Sequence, residues 1–191
     1  MSSSKTWMWS AFALAFAALV AFGEAATNAQ APRFSSLYTN LKTECRAAIK
    51  LKRGEEFEGD MPLRCKGYGG YEIRVGYSAM SSQFSINRIG KDSEDVVVST
   101  MQPLNYDLKR KVEWRLADGK PFAVIYRIDL TKGTSADVDM WSAENKTGES
   151  LVVKGLKGFE QIEFEIDAKN PQANLKAREM ADSAYTKSRS Q

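Results

Sequence analysis

The segment QIEFEID places Glu163, Glu165 and Asp167 on alternate residues, so a strand running through it presents three carboxylates on one face. Carboxylates gathered in this way can share a proton as general acid and base, or supply oxygen ligands to Ca²⁺. The same pattern is the ordinary polar face of a half-solvated strand, and Lys154 and Lys157 lie near enough in sequence to balance it. The three residues are therefore weak metal or catalytic candidates, and no catalytic residue is assigned. A second acidic run, Glu55, Glu56, Glu58 and Asp60, lacks the spaced Asp/Asn and central Gly of an EF-hand loop and reads as a solvated turn.

The chain has no histidine. That removes the usual general base and the commonest metal ligand, and with them histidine-dependent triads and most zinc or iron hydrolases. Two cysteines, Cys45 and Cys65, are too few for a structural zinc site and are not spaced as a Cys-x-x-Cys redox pair. In an exported chain they are read as one disulfide, which stabilises by about 3 kcal/mol through loop entropy. No cofactor is implied, and the balance of residue types points away from an enzyme.

Binding chemistry has a different candidate set. Tyr68 lies within the Gly67-Tyr68-Gly69-Gly70 knot and Tyr71 follows it, and Trp141 lies in a long polar segment. Amphipathic rings so placed can form a contact surface. The alternative is that Tyr71 belongs to the core and the others are scattered. A phosphate-cradling loop is excluded, because such glycines open a helix whereas these open a strand. Asn145-Lys146-Thr147 matches a glycosylation sequon, which matters only in a host that glycosylates.

The elements that must position these residues are mostly strands. YEIRVGY alternates Tyr71, Ile73, Val75 and Tyr77 against Glu72, Arg74 and Gly76. SSQFSINRIG and EDVVVSTM read as further strands. RKVEWRLADGKPFAVIYRIDL forms a hairpin about Asp118-Gly119, with Val112, Trp114 and Leu116 inward. The returning strand, apolar on both faces, is read as central, with Pro121 at its first positions. FSSLYTNLKTECRAAIKLK carries both periods, and a short helical or irregular lead-in followed by a strand from about Cys45 is expected. RGEEFEGD then forms a hairpin loop returning through MPLRC, which sets Cys45 opposite Cys65. A polar loop spans 132–149, with a short extra strand about Val138 to Trp141, before SLVVKGL and QIEFEID. Asn170 caps a helix over about 171–186 whose apolar stripe is Ala177, Met180, Ala181 and Ala184.

At the N-terminus, Lys5, the apolar run Trp7 to Phe22 and the small residues after it have the form of a secretory signal peptide. Cleavage is expected after Ala25, alternatively after Ala31, leaving a single domain from residue 26 to 191. An uncleaved anchor is the alternative, but the run is marginal for a hydrocarbon core of about 30 Å. Removing residues 1–25 takes away one charge of each sign, so the net charge of +3 persists. Acidic and basic blocks alternate in LKTECRAAIKLKRGEEFEGD, which argues against nucleic acid as a partner.

SLYTNLKTEC, RCKGYGGYEIRVGYS, KVEWRLADGKPFAVIYR and NLKAREMADSAY, in that order, resemble an uncharacterised family of small exported bacterial proteins. The resemblance implies a periplasmic or secreted single domain with Cys45 paired to Cys65 and no established activity. The polar segment from Lys132 to Glu149 is longer than that family's pattern. In architectural style the chain is also similar to periplasmic lysozyme inhibitors, without their inhibitory loop motif.

The expected fold is mainly β: an antiparallel sheet, sandwich or partly open barrel of about seven to nine strands with the C-terminal helix packed on it. The expected role is a non-enzymatic envelope protein that binds an unidentified protein or small ligand. Its expected contact surface is the Gly-Tyr turn and the 132–149 loop. The alternatives are a carboxylate-dependent enzyme, a calcium-binding module or an inhibitor-like protein.

Overall fold

Alternation of apolar and polar residues builds two antiparallel sheets, and a C-terminal helix covers the outer face of one of them. The computed structural model describes residues 31–77, 81–89, 96–103, 110–132 and 143–190. The signal-peptide region, Trp141 and the strand expected about Val138 lie outside them. The first sheet has the order β1 (Phe34–Asn40), β7 (Lys111–Ala117), β8 (Lys120–Thr131), β9 (Lys146–Gly155), β10 (Glu163–Asp167). The second runs β2 (Cys45–Ala47), β3 (Leu63–Cys65), β4 (Tyr71–Tyr77), β5 (Ser81–Arg88), β6 (Val96–Pro103). A four-residue helix, α1 (Leu41–Glu44), joins β1 to β2, and α2 (Ala173–Arg189) closes the chain.

The layers follow from side-chain period. On β7, Val112, Trp114 and Leu116 join Ile73, Val75, Phe84 and Ile86 of the second sheet in one core. The opposite face of the first sheet supplies Ala123, Ile125, Leu151 and Val153, which bury Ala173, Ala177 and Ala181 of α2. Alanine at these helix positions lets the helix axis approach the strands closely. β8 is central in its sheet and apolar on both faces because one face meets the second sheet and the other meets α2.

The mainly β class, the antiparallel pairing and the packed C-terminal helix are all present; the arrangement is a sandwich with no closed barrel. The Asp118–Gly119 turn has φ of 48° and 76°, and both values suit the two-residue hairpin that joins β7 to β8. The lead-in over Phe34–Asn40 is a strand rather than a helix. All seven of its residues pair with β7, and this tertiary ladder overrides the helical spacing. With that strand the described residues form two sheets of five strands. The helix begins at Ala173 and ends at Arg189, later at both ends than expected. The Asn170 side chain accepts from the Gln172 N–H at 2.9 Å in a turn that precedes the helix. Among the described residues, no helix is long and apolar enough to cross a membrane.

Candidate functional site

Cys45 and Cys65 occupy the same register position on β2 and β3 and are joined by the disulfide. Just beyond β2, the Ala48 N–H donates to the Pro62 carbonyl at 2.7 Å and completes the neck of an arm over 48–62. The arm does not fold back onto the sandwich: residues 46–60 are all exposed. Its local form comes from its own bonds, with the Glu55 N–H donating to the Lys52 carbonyl at 3.0 Å and the Lys52 N–H to the Glu55 carboxylate at 2.9 Å. Three large apolar side chains stay in solvent there, Ile49 at 42 %, Leu51 at 39 % and Phe57 at 38 % exposure. The cross-link restricts the neck, which lowers the entropy lost when such a loop is held by a partner.

At the root of the arm lies a cleft of about 480 Å³, lined by Arg46, Arg64, Lys66, Glu44, Glu72 and the disulfide, among others. Its wall is anchored from inside. The buried Trp114 indole donates to the Thr39 hydroxyl at 2.9 Å, and that hydroxyl donates to the Lys66 carbonyl at 2.8 Å. This relay links β7 and β1 of one sheet to the end of β3 in the other. Lys66 Nζ stands 5.4 Å from the Tyr68 ring centroid.

The residues singled out from sequence fall in different places. Tyr71 is buried, its ring 6.3 Å from that of Trp114, so it serves the core rather than a surface. Tyr68 is half-buried, edge-on to Trp114 at 5.8 Å, with its hydroxyl donating to the Tyr38 carbonyl at 3.2 Å. The turn between them is formed by the Tyr71 N–H donating to the Tyr68 carbonyl, with Gly69 and Gly70 at positive φ. Glu163, Glu165 and Asp167 are exposed on the edge strand β10; Glu163 pairs with Lys154, and Asp167 accepts the Lys169 N–H. Among the described residues, no three His, Cys, Asp or Glu side chains gather in a way that could hold a metal ion.

Two further polar clusters brace the fold. Ser36 donates to Glu113, whose carboxylate is also held by Arg178 of α2 at 2.7 and 3.1 Å, while Arg115 pairs with Asp182. A carboxylate so engaged by a guanidinium is a poor base for the serine, and the cluster acts as a clasp for the helix. At the far end of the same sheet, Asp129 and Glu149 stand directly opposite each other. Arg110 and Lys146 bridge both, and Arg127 reaches Glu149 at 3.5 Å. The Lys146 hydrogen bond, with Arg110 nearby, holds the Glu149 carboxyl below its ordinary range, and the same bond raises Lys146.

Sequence reading set a hairpin loop at RGEEFEGD but singled out neither the arm nor the basic cleft as a site. The signal was present: once Cys45 is set opposite Cys65, antiparallel pairing puts Arg46 opposite Arg64. No protein-family model matches the chain, no curated protein or solved structure matches it, and the family resemblance drawn from its collinear segments gains no support from them.

Proposed function

We propose that the protein is an exported, non-enzymatic binding module that engages a protein partner through the arm over 48–62. The observation that carries this reading is the exposure of Ile49, Leu51 and Phe57 on a loop whose neck is clamped by a disulfide. Apolar anchors on a restrained loop supply binding free energy at low ordering cost, and recognition residues concentrate on such loops. Phe57 is flanked by Glu55, Glu56 and Glu58, so the partner surface that fits it is an apolar pocket rimmed by cations. Export is supported by the signal-like N-terminus and by the disulfide, a bond that persists in oxidising compartments. The exposed carboxylates of β10, one of them engaged by Lys154, make that strand the weaker choice of site.

The test is site-specific photo-crosslinking in the host envelope with the reactive group at position 57. A discrete protein adduct is expected there and not at Glu165 on β10. The adduct should weaken several-fold when Ile49→Ser and Leu51→Ser are introduced together. Equal labelling at both positions, or an adduct indifferent to the two serines, overturns the arm as the contact surface.

A further inference from the structure

On the outer face of the second sheet, Arg46 stands directly opposite Arg64, and Arg64 directly opposite Arg74. Side chains in such positions are only about 5 Å apart, and like charges placed there destabilise the pairing. Lys66, just past the end of β3, adds a fourth cation. One carboxylate answers the row: Glu72 meets Arg74 Nε at 2.7 Å and Arg64 Nε at 3.3 Å. Arg46 has neither a side-chain hydrogen bond nor an ion pair among the described residues. Arg64 meets Glu72 through Nε at 3.3 Å, and its terminal amino groups make no hydrogen bond among the described residues. The other acidic wall residue, Glu44, has one carboxylate oxygen held by the Asn40 N–H at 2.7 Å.

Arg46, Arg64 and Lys66 therefore bring three cations to one cleft against the two carboxylates of Glu44 and Glu72, and its volume of about 480 Å³ suits a small ligand. We propose that this cleft binds a phosphate monoester through Arg46, Arg64 and Lys66. A carboxylate offers two oxygens and one charge, which one guanidinium satisfies. A phosphate monoester offers three terminal oxygens and nearly two charges, which match two guanidiniums and an ammonium. Tyr68 keeps the Lys66 ammonium beside the cleft through its ring without neutralising it. The inference is independent of the arm: it concerns a small group at the arm's root, and either reading can fail alone.

The experiment is calorimetric titration of the mature chain, in phosphate-free buffer, with glycerol 3-phosphate and with sulfate. Vesicles of phosphatidylcholine with and without phosphatidic acid form the second arm. Glycerol 3-phosphate is expected to bind more tightly than sulfate, and Arg46→Gln and Arg64→Gln should each weaken it about tenfold. Binding should weaken as pH falls from about 7.5 to about 5.5, where the ester loses its second charge. The chain has no histidine to titrate in that range, so the ligand is the source of that slope. Binding only to vesicles that carry phosphatidic acid assigns the same chemistry to a lipid headgroup. Arg46→Gln should leave the melting temperature unchanged or raise it, because it relieves repulsion, so lost binding will not be misread as lost folding. Three results overturn the proposal: no binding in either arm, equal affinity for sulfate at both pH values, or an Arg46→Gln/Arg64→Gln protein that binds as the wild type does.

Discussion

The indole N–H of Trp114 on β7 donates to the hydroxyl of Thr39 on β1 at 2.9 Å, and both residues are fully buried. Because the Thr39 hydroxyl donates in turn to the Lys66 carbonyl at 2.8 Å, one hydroxyl serves both the buried indole N–H and that carbonyl. Thr39→Val keeps the shape and leaves both unpaired, and should cost about 1–3 kcal/mol in urea unfolding. Thr39→Ser should recover most of the loss; equal stability of the Val and wild-type proteins would refute the relay.

The clasp between α2 and the first sheet gives a second test. Glu113 is nearly buried, and Arg178 binds both of its oxygens while also donating to the Tyr38 hydroxyl at 2.9 Å. Arg178→Ala leaves a buried carboxylate with Ser36 as its remaining side-chain partner among those seen here. Destabilisation of about 1–3 kcal/mol is expected, below the figure for a fully buried pair because the Arg178 side chain is 35 % exposed. At this chain length each kcal/mol lowers Tm by roughly 2–4 °C, and hydrogen exchange should rise first in α2.

Gly155 at the end of β9 is a steric requirement. A Cβ there would overlap the Phe159 carbonyl in the turn that returns to β10, and backbone cannot yield as a side chain can. Gly155→Ala should destabilise by about 1–3 kcal/mol or more. Gly76→Ala, with no atom within 4 Å of the new methyl, should stay within about 0.5 kcal/mol of wild type. Matching thermal scans of the two variants would show that the turn yields to the added methyl.

The Asp129–Glu149 cluster makes the fold acid-sensitive. The folded-state pKa of Glu149 lies below its unfolded value, through the Lys146 hydrogen bond first and Arg110 second. Its stabilisation is therefore complete above the unfolded pKa, roughly 4.3, and is lost as pH falls through the folded pKa. Lys146 is raised, so its share is present below its unfolded pKa and lost only as pH rises through the folded one, far on the alkaline side. Lys146→Gln should shift the Glu149 titration upward in carbon-detected NMR and flatten the acid limb of Tm against pH. An unmoved titration would remove Lys146 as the main cause.

Much of the fold was legible because its signals are local. The Asp118–Gly119 turn, the alternation of Tyr71 to Tyr77 and the Ala177–Ala181 stripe each announce themselves within a few residues. Phe34–Asn40 misled because its apolar spacing fits a helix, and only the partner strand β7 settled it. Tyr71 was open to two readings, surface beside the glycines or core by its alternation with Ile73 and Val75, and Trp114, 43 residues later, decided for the core.

The sequence by itself determined the pleated class, the helix that closes the chain, the lack of histidine chemistry and the pairing of its only two cysteines. Those follow from residue type and short-range period, which act within a turn or a strand. Tertiary structure alone decided that residues 48–60 stand clear of the sandwich, that Arg74 of the next strand lines up with Arg64, and that Arg178 meets Glu113. The physical reason is that exposure and charge contact depend on register and layer packing between distant segments, and no local pattern encodes the distance between side chains that meet only after folding.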